Sequence, residues 1–446
     1  MGVKTGAIIG SIFGGINGSY HALKYKNYMA IPVFAIGGAI SFGFFLGCGM
    51  IIFNIDLEEM RGKKIFGMCN PILDIVLKAS PDRIKDLGLK IGSTTLGNDE
   101  EVFKLIRDII SNNEDANFVA GGSLLNTFRV CKELSNKDEK NKDDSISVFF
   151  SGGINDDSGG ILLQELLTEV GIEFEFHIAK KANLETAKCV VFVTEEERTL
   201  LAGLGAAKEY SISTFESEKI QNALKTASIF ATSGFFVEVC FQAILKSAQY
   251  IHQFRSDECS FVFGLSATYI PEKYINELIQ LFPMIDYIIG NQEEFVSLFK
   301  SINSIFQIKD DDQLLLSQDN IGQPENDVLE IILTEIHKHL KPTCIMLCTR
   351  AHLPVISFNP KDPNGYIKYH ECIHVPKEKL VDVNGCGDAF KGGFIYGISN
   401  SYPLDASIYM GHYAASNVAQ NVGCDFDFSN KPTLSEIIQV TSSKSN

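Results

Sequence analysis

From Lys64 onward, short apolar runs alternate with amphipathic helical stretches, and this rhythm constrains the fold more than any other feature of the chain. "KIFGMCNPILDIVL" reads as a strand, "DEEVFKLIRDIIS" as a helix and "ISVFFSGGIN" as a strand ending in glycines. "GGILLQELLTEVGI" reads as a helix stopped by Gly171, and "ASIFATSGFF", "SFVFGLSA", "IDYIIGN" and "TCIMLCT" read as buried strands. Strands alternating with helices predict an α/β, doubly wound and mostly parallel sheet with helices on both faces. Ligands bind such sheets beyond the carboxyl ends of the strands, where Ser266, Asn291 and several glycines fall. "ANLETAKCVVFVTEEERTLLAGLGAA" has β-type residues between turn signals and predicts strands outside that sheet. Residues 136–144 and 310–327 are polar and predict solvated loop insertions.

Residues 1–61 have a different composition and form a hydrophobic extension ahead of a unit spanning 62–446. Residues 27–54 carry no charge and are long enough to cross a hydrocarbon core of roughly 30 Å, so they are a candidate transmembrane segment. Ahead of them Gly6, Gly10, Gly14 and Gly18 recur every fourth residue, the stripe that lets membrane helices approach closely. Charges flanking the run do not decide its orientation. The chain has 39 Lys and Arg against 55 Asp and Glu, a net charge of -16, which argues against nucleic acid and anionic lipid as partners. Its 11 cysteines include no CxxC pair, which argues for free thiols and against a zinc site or disulfide frame.

The most informative local stretch is "VDVNGCGDAFKGGF", residues 381–394. It delivers "NGCGD" to a helix start, where backbone N–H groups and partial positive charge favour an oxyanion. Glycines 385 and 387 let the main chain approach a phosphate. Asp388 is either a helix N-cap or a base accepting a proton from a hydroxyl that attacks a phosphoryl group.

This stretch resembles the "DTNGAGDAFVGGF" signature of the ribokinase-type (PfkB) carbohydrate kinases. "GMCNPILDI", "AGGSLLNTFRV", "CVVFVTEEERTLLAGLGAA", "SGFFVEV", "LSATYI", "IIGNQEEF" and "GHYAASNVAQNVGC" resemble, in order, stretches of the adenosine kinases within that family. The resemblance runs over about residues 64–435 and implies a ribokinase-like fold with a small β-rich lid from parts of 75–125 and 183–207. It implies ATP and Mg2+ as cofactors, adenosine as acceptor and a cytoplasmic, monomeric catalytic unit with no protein partner; the hydropathy of residues 27–54, which are not typical of the family, adds a membrane association.

Residue by residue, the resemblance makes Asp388 the general base, with Gly385, Cys386 and Gly387 as the anion hole and Arg198 as a lid arginine closing over the phosphates. Asp74, Gly122, Ser123 and Asn126 would hold the ribose, with Asn70 nearby. Leu96, Cys189, Leu200, Ala202, Leu204, Phe235, Phe236 and Tyr269 would line the purine pocket. On the nucleotide side stand Asn291, Glu294, Thr349, Asn384 and His412, with Glu294 meeting magnesium through water. By residue type alone, Asn70 is equally a structural turn residue and Asp74 a turn former, Arg198 is a surface charge, the "GNQEE" stretch is a solvated helix start, a reading that suits Glu293 better than Asn291, and His412 is equally a packed helix histidine.

Four departures stand out. Cys386 replaces the signature's alanine, and a thiol at a helix N-terminus predicts sensitivity to alkylation or oxidation unless it is simply a tolerated small residue. Val383 replaces threonine, and Thr349 stands where glycine is usual. With Thr94 in place of a common glutamine, these leave the reaction type intact and the exact nucleoside and nucleotide donor open; the nearest enzyme alternative is a kinase for another nucleoside or a sugar. A catalytically silent, membrane-bound nucleoside-binding protein is the rival from a different class.

Overall fold

The computed structural model describes residues 63–112, 116–137, 145–181, 184–194, 198–306, 326–421, 424 and 426–443. The membrane candidate at 27–54 and most of both polar insertions lie outside the described residues. A compact unit begins at Lys63. Asn326 and Asp327, expected in an insertion, open a helix instead, Asn326–His337.

The strands are β1 (Lys64–Met68), β2 (Ile72–Lys78), β3 (Thr94–Leu96), β4 (Ala116–Gly121), β5 (Ser147–Ile154), β6 (Glu173–Ile178), β7 (Lys188–Val193) and β8 (Arg198–Gly203). They continue as β9 (Ile229–Ser233), β10 (Ser260–Gly264), β11 (Tyr287–Asn291), β12 (Ile345–Arg350), β13 (Leu353–Phe358) and β14 (Ile367–His370). Nine form one sheet in the order β14-β13-β12-β11-β10-β9-β1-β5-β6. Its pairings are parallel except those of β12 with β13 and β13 with β14. The other five form a second, mixed sheet, β3-β8-β7-β2-β4.

Six helices matter below: α1 (Asp99–Ser111), α2 (Ser123–Asn136), α3 (Gly234–Phe254), α4 (Gln292–Phe306), α5 (Cys386–Ser399) and α6 (Leu404–Val418). Helices α3 and α4 pack into the apolar layer on one face of the large sheet, and α2, α5 and α6 into the layer on the other. Helix α1 has the bounds its periodicity predicts and covers the small sheet with Val102, Phe103, Ile106 and Ile109.

One expectation is corrected. "KIFGMCNPILDIVL" is not one strand but two, in different sheets, broken at Cys69–Pro71. Pro71 has no N–H to give to a ladder, so the chain leaves the large sheet there and re-pairs in the small one. This crossing puts Asn70 and Asp74 between the sheets, at the mouth of the parallel strands.

Candidate active site

Between the sheets lies a cleft of about 1020 Å³. Its chemical centre is the start of α5. Gly385, at φ 81°, caps this helix in the left-handed region that glycine adopts without strain, and a Cβ there would also press within 3.1 Å of Cys424. Asp388 is therefore not the N-cap. It occupies the first turn, and its carboxylate accepts hydrogen bonds from Ser123 Oγ at 2.6 Å and Asn126 Nδ2 at 3.4 Å. Both donors sit in the first turn of α2, behind Gly122 at φ 99°. Arg129, one turn further on, donates to Asn126 Oδ1 at 3.3 Å and so fixes which end of the amide faces Asp388.

Lys391 follows Asp388 by three residues on the same helix face. Its ammonium is 3.0 Å from Asp388 Oδ1 and donates to Ser123 Oγ at 2.9 Å. The resemblance did not point to this residue; the i,i+3 spacing from Asp388 was the available signal.

Asp74 lies in the middle of β2 opposite Gly121–Val119, not in a turn. The close approach of Gly121 accommodates it, since a Cβ there would sit 2.1 Å from Asp74 Oδ2. Burial pushes its carboxyl up to about 7, with Arg129 pulling down and Asp388 pushing further up. Asn70 also lines the cleft and is buried, and its Oδ1, itself shielded from solvent, has no hydrogen-bond partner among the described residues.

Arg198 is no surface charge. It begins β8, and its Nε lies 2.5 Å from Asp382 Oδ2, with both side chains 3 % exposed. Asp382 also accepts the N–H of Asn384 at 3.0 Å, closing the turn that leads into α5. The small sheet is thus tied to the glycine turn by one buried ion pair. Burial lowers the guanidinium's pKa, opposed by Asp382.

On the far side, Asn291 and Glu294 form a reciprocal capping box at the start of α4. Glu294 Oε2 accepts from the N–H of Asn291 at 3.0 Å, Oε1 accepts from Asn291 Nδ2 at 3.1 Å, and Asn291 Oδ1 accepts from the N–H of Glu294 at 2.8 Å. Glu294 is buried rather than solvated, and burial raises its carboxyl while the Asn291 N–H opposes the shift. Thr349 Oγ1 donates to the carbonyl of Gly290 at 3.2 Å.

Of the predicted pocket residues, Leu96, Cys189, Leu200, Ala202, Leu204, Phe235 and Tyr269 line the cleft, with the Phe235 and Tyr269 rings 6.4 Å apart. Phe236 does not. It points into the core and packs edge-on to Tyr210, because successive positions of a helix are turned by about 100° from one another. His412 is likewise buried in α6 against Phe390 rather than on the cleft wall. The Cys386 side chain turns away from the cleft toward the carbonyls of Asp382 and Ala415, leaving only its backbone for the anion hole. Burial, then Asp382 and Asp388, push its thiol up to about 12, the reverse of the activation expected at a helix N-terminus.

Residues 88–431 match the family model described as pfkB family carbohydrate kinase. The chain belongs to this family. The adenosine kinase of Dictyostelium discoideum is 24 % identical over 82 % of this chain and 96 % of its own length, and that of Schizophyllum commune 26 % identical over 82 % and 98 %. Among solved structures, Anopheles gambiae adenosine kinase in complex with P1,P4-di(adenosine-5) tetraphosphate superposes with a TM-score of 0.63. It is 26 % identical and covers 83 % of this chain and 99 % of its own. The Trypanosoma brucei brucei adenosine kinase gives 0.67 at 25 % identity, covering 81 % and 99 %. Residues 1–53 match a second family model, reactive mitochondrial oxygen species modulator 1. Among the described residues no helix is long and apolar enough to cross a membrane.

Proposed function

We propose that the chain is an adenosine kinase, transferring the γ-phosphoryl of ATP to the 5′-hydroxyl of adenosine to give AMP and ADP. The observation that carries the reading is the Asp388 carboxylate, held by Ser123 and Asn126 at a glycine-led helix start, opposite an apolar wall that suits a flat base. Asp388 takes the 5′-hydroxyl proton as the oxygen attacks in line, and the N–H groups of Gly385, Cys386 and Gly387 receive the transferred phosphoryl. The bond to the β-phosphate bridge breaks, and its electron pair leaves on ADP. Asp74, with Asn70 and Asn126 near it, accepts the ribose hydroxyls. The small sheet acts as the lid, and Arg198 brings its cation toward the phosphates as water is excluded.

Magnesium fits this site only in company with the nucleotide. Among the described residues no group of three His, Cys, Asp or Glu could hold a metal, and both Glu294 oxygens are engaged in the capping box. Asn291 and Glu294 would meet the ion through water, and the ion, when bound, neutralises phosphate charge. The related adenosine kinases are named for the same acceptor, which supports adenosine over a sugar.

The test is phosphate transfer by the full chain from ATP·Mg to adenosine, inosine, guanosine and ribose. Adenosine is expected to be preferred by at least an order of magnitude in kcat/KM, and preference for ribose would overturn the reading. Residues 27–54 we read as a membrane anchor for a cytoplasmic catalytic unit, on their uncharged length. Carbonate extraction of membranes should leave the full chain in the pellet; release to the supernatant would rule the anchor out.

A further inference from the structure

The cleft must receive a polyanion, yet its walls are acidic: three cations, Arg198, Lys208 and Lys391, face six carboxylates. Two of the cations are committed at the rim or lid, Arg198 to Asp382 at 2.5 Å and Lys208 to Asp99 at 3.1 Å. The third stands at the reacting centre. Lys391 is 14 % exposed, its stem runs along Gly264 at the end of β10, and its Nζ lies 3.0 Å from the base and 2.9 Å from Ser123 Oγ. The same charge acts on Glu294 across the cleft, lowering the carboxyl that burial raises. A hydroxyl within hydrogen-bond distance of Asp388, about 2.7 Å, therefore lies beside this ammonium. The family signature quoted above has valine here, which offers no charge.

We propose that Lys391 is a catalytic residue of this kinase, the cation that binds the transferred phosphoryl group and offsets its repulsion by Asp388. The proposal rests on the phosphoryl-transfer reading of the site. In the free enzyme Lys391 bridges Asp388 and Ser123. When the γ-phosphoryl enters the backbone hole, a carboxylate and a phosphoryl dianion must come within a few ångströms of each other, and like charges at that range oppose the approach strongly. The ammonium sits where it can serve both. As the bond from O5′ to the γ-phosphorus forms and the bridge to ADP breaks, the 5′-proton passes to Asp388. Lys391 keeps its own proton and contributes only charge and hydrogen bonds.

The experiment compares Lys391→Met, Lys391→Arg and wild type in the full chain, reading kcat, the adenosine dissociation constant without nucleotide, and the ATP·Mg dissociation constant. A charge acting on the phosphoryl group predicts that the methionine variant loses about 100-fold or more in kcat and binds ATP·Mg about tenfold more weakly. It should keep adenosine affinity within about threefold, and arginine should recover at least a tenth of the lost rate. A methionine variant within threefold of wild-type kcat overturns the proposal. So does one that loses adenosine affinity as much as rate, which would make Lys391 only a brace for Ser123. If the wild type turns over another acceptor, that acceptor replaces adenosine and the kinase reading alone is amended. If it turns over none, ATP·Mg affinity decides: unchanged binding in the methionine variant overturns the proposal, and a tenfold loss upholds the phosphate contact.

Discussion

The two walls of the cleft are built differently. On the large-sheet side each polar side chain at the reacting centre is pinned by others: Asp388 by Ser123 and Asn126 from a distant helix and by Lys391 on its own, and Asn126 in turn by Arg129 one turn on. On the small-sheet side the surface beside Leu96, which is 60 % exposed, is apolar, with Leu200 and Ala202 packed against Cys189 and Val191; Asp74 is buried in β2 of this wall, and Arg198 is the cation that ties it to the other wall. Preorganised hydrogen bonds serve a transition state, whereas an apolar surface serves substrate and transition state alike. The first wall should therefore govern kcat and the second KM.

The sharpest test of that division is Asp388→Asn. Losing the base should cost 10²–10⁴-fold in kcat, roughly the range for general-base removal, while adenosine binding measured without ATP stays within a few-fold. An equal loss of both would mean that Asp388 mainly organises the pocket.

The buried link between the walls comes next. Asp382→Asn leaves the Arg198 guanidinium buried without its counter-charge, and breaking a buried pair by removing one partner costs about 3–5 kcal/mol. Denaturant unfolding should show that loss. The doubly substituted Arg198→Met, Asp382→Asn chain should recover part of the stability but lose ATP-dependent closure, seen as a raised KM for ATP. If the single variant unfolds like wild type, the pair is incidental to the lid.

Asp74 gives the effect of pH. Its carboxyl is raised by burial to about 7, so in the folded protein it is neutral below that value and ionised above. A carboxylate accepts from two ribose hydroxyls and a neutral acid accepts less well, so the KM for adenosine should fall as pH rises toward 7 and flatten beyond it. Stability runs the other way. The folded state binds the proton more tightly than the unfolded chain, so this contribution is complete below about 4, the unfolded range, and is lost as pH rises to about 7. Asp74→Asn should remove both dependences, with KM raised about tenfold near neutrality, on the scale of one lost charged hydrogen bond.

The same contrast explains what could be read from the sequence. Helix α1 and the parallel strands were legible because burial imposes a period of its own, and the glycine turn was legible because close backbone approach restricts residue type. The split at Pro71 was hidden, since an apolar run broken only by Asn-Pro looks the same whether it stays in one sheet or crosses to another. Arg198 with Asp382 and Lys391 with Ser123 were hidden for a different reason. Each is a contact between side chains far apart in sequence, and charge alone gives no hint of a partner. Phe236 and His412 show the limit of carrying roles over by position: Phe236 is in the core while its neighbour Phe235 lines the cleft, and His412 is buried against Phe390.

Smaller effects belong to the apolar wall and the thiol behind the anion hole. Leu96→Ala removes a side chain already mostly in solvent, so the KM for adenosine should rise only about two- to fivefold with kcat unchanged, on the scale of partial burial of one leucine. Cys386 should matter least. At a helix N-terminus a thiolate is favoured by the aligned N–H groups, and that argument alone predicts a reactive cysteine. Here the side chain is turned off the helix axis, packed toward the carbonyls of Asp382 and Ala415, and held beside two carboxylates, so burial and charge together oppose ionisation. Iodoacetamide at neutral pH should inactivate wild type and Cys386→Ala at rates within twofold of each other. Protection of the alanine variant would mean that the helix terminus outweighs both, and that the cleft's positive end reaches behind the glycine turn as well as in front of it.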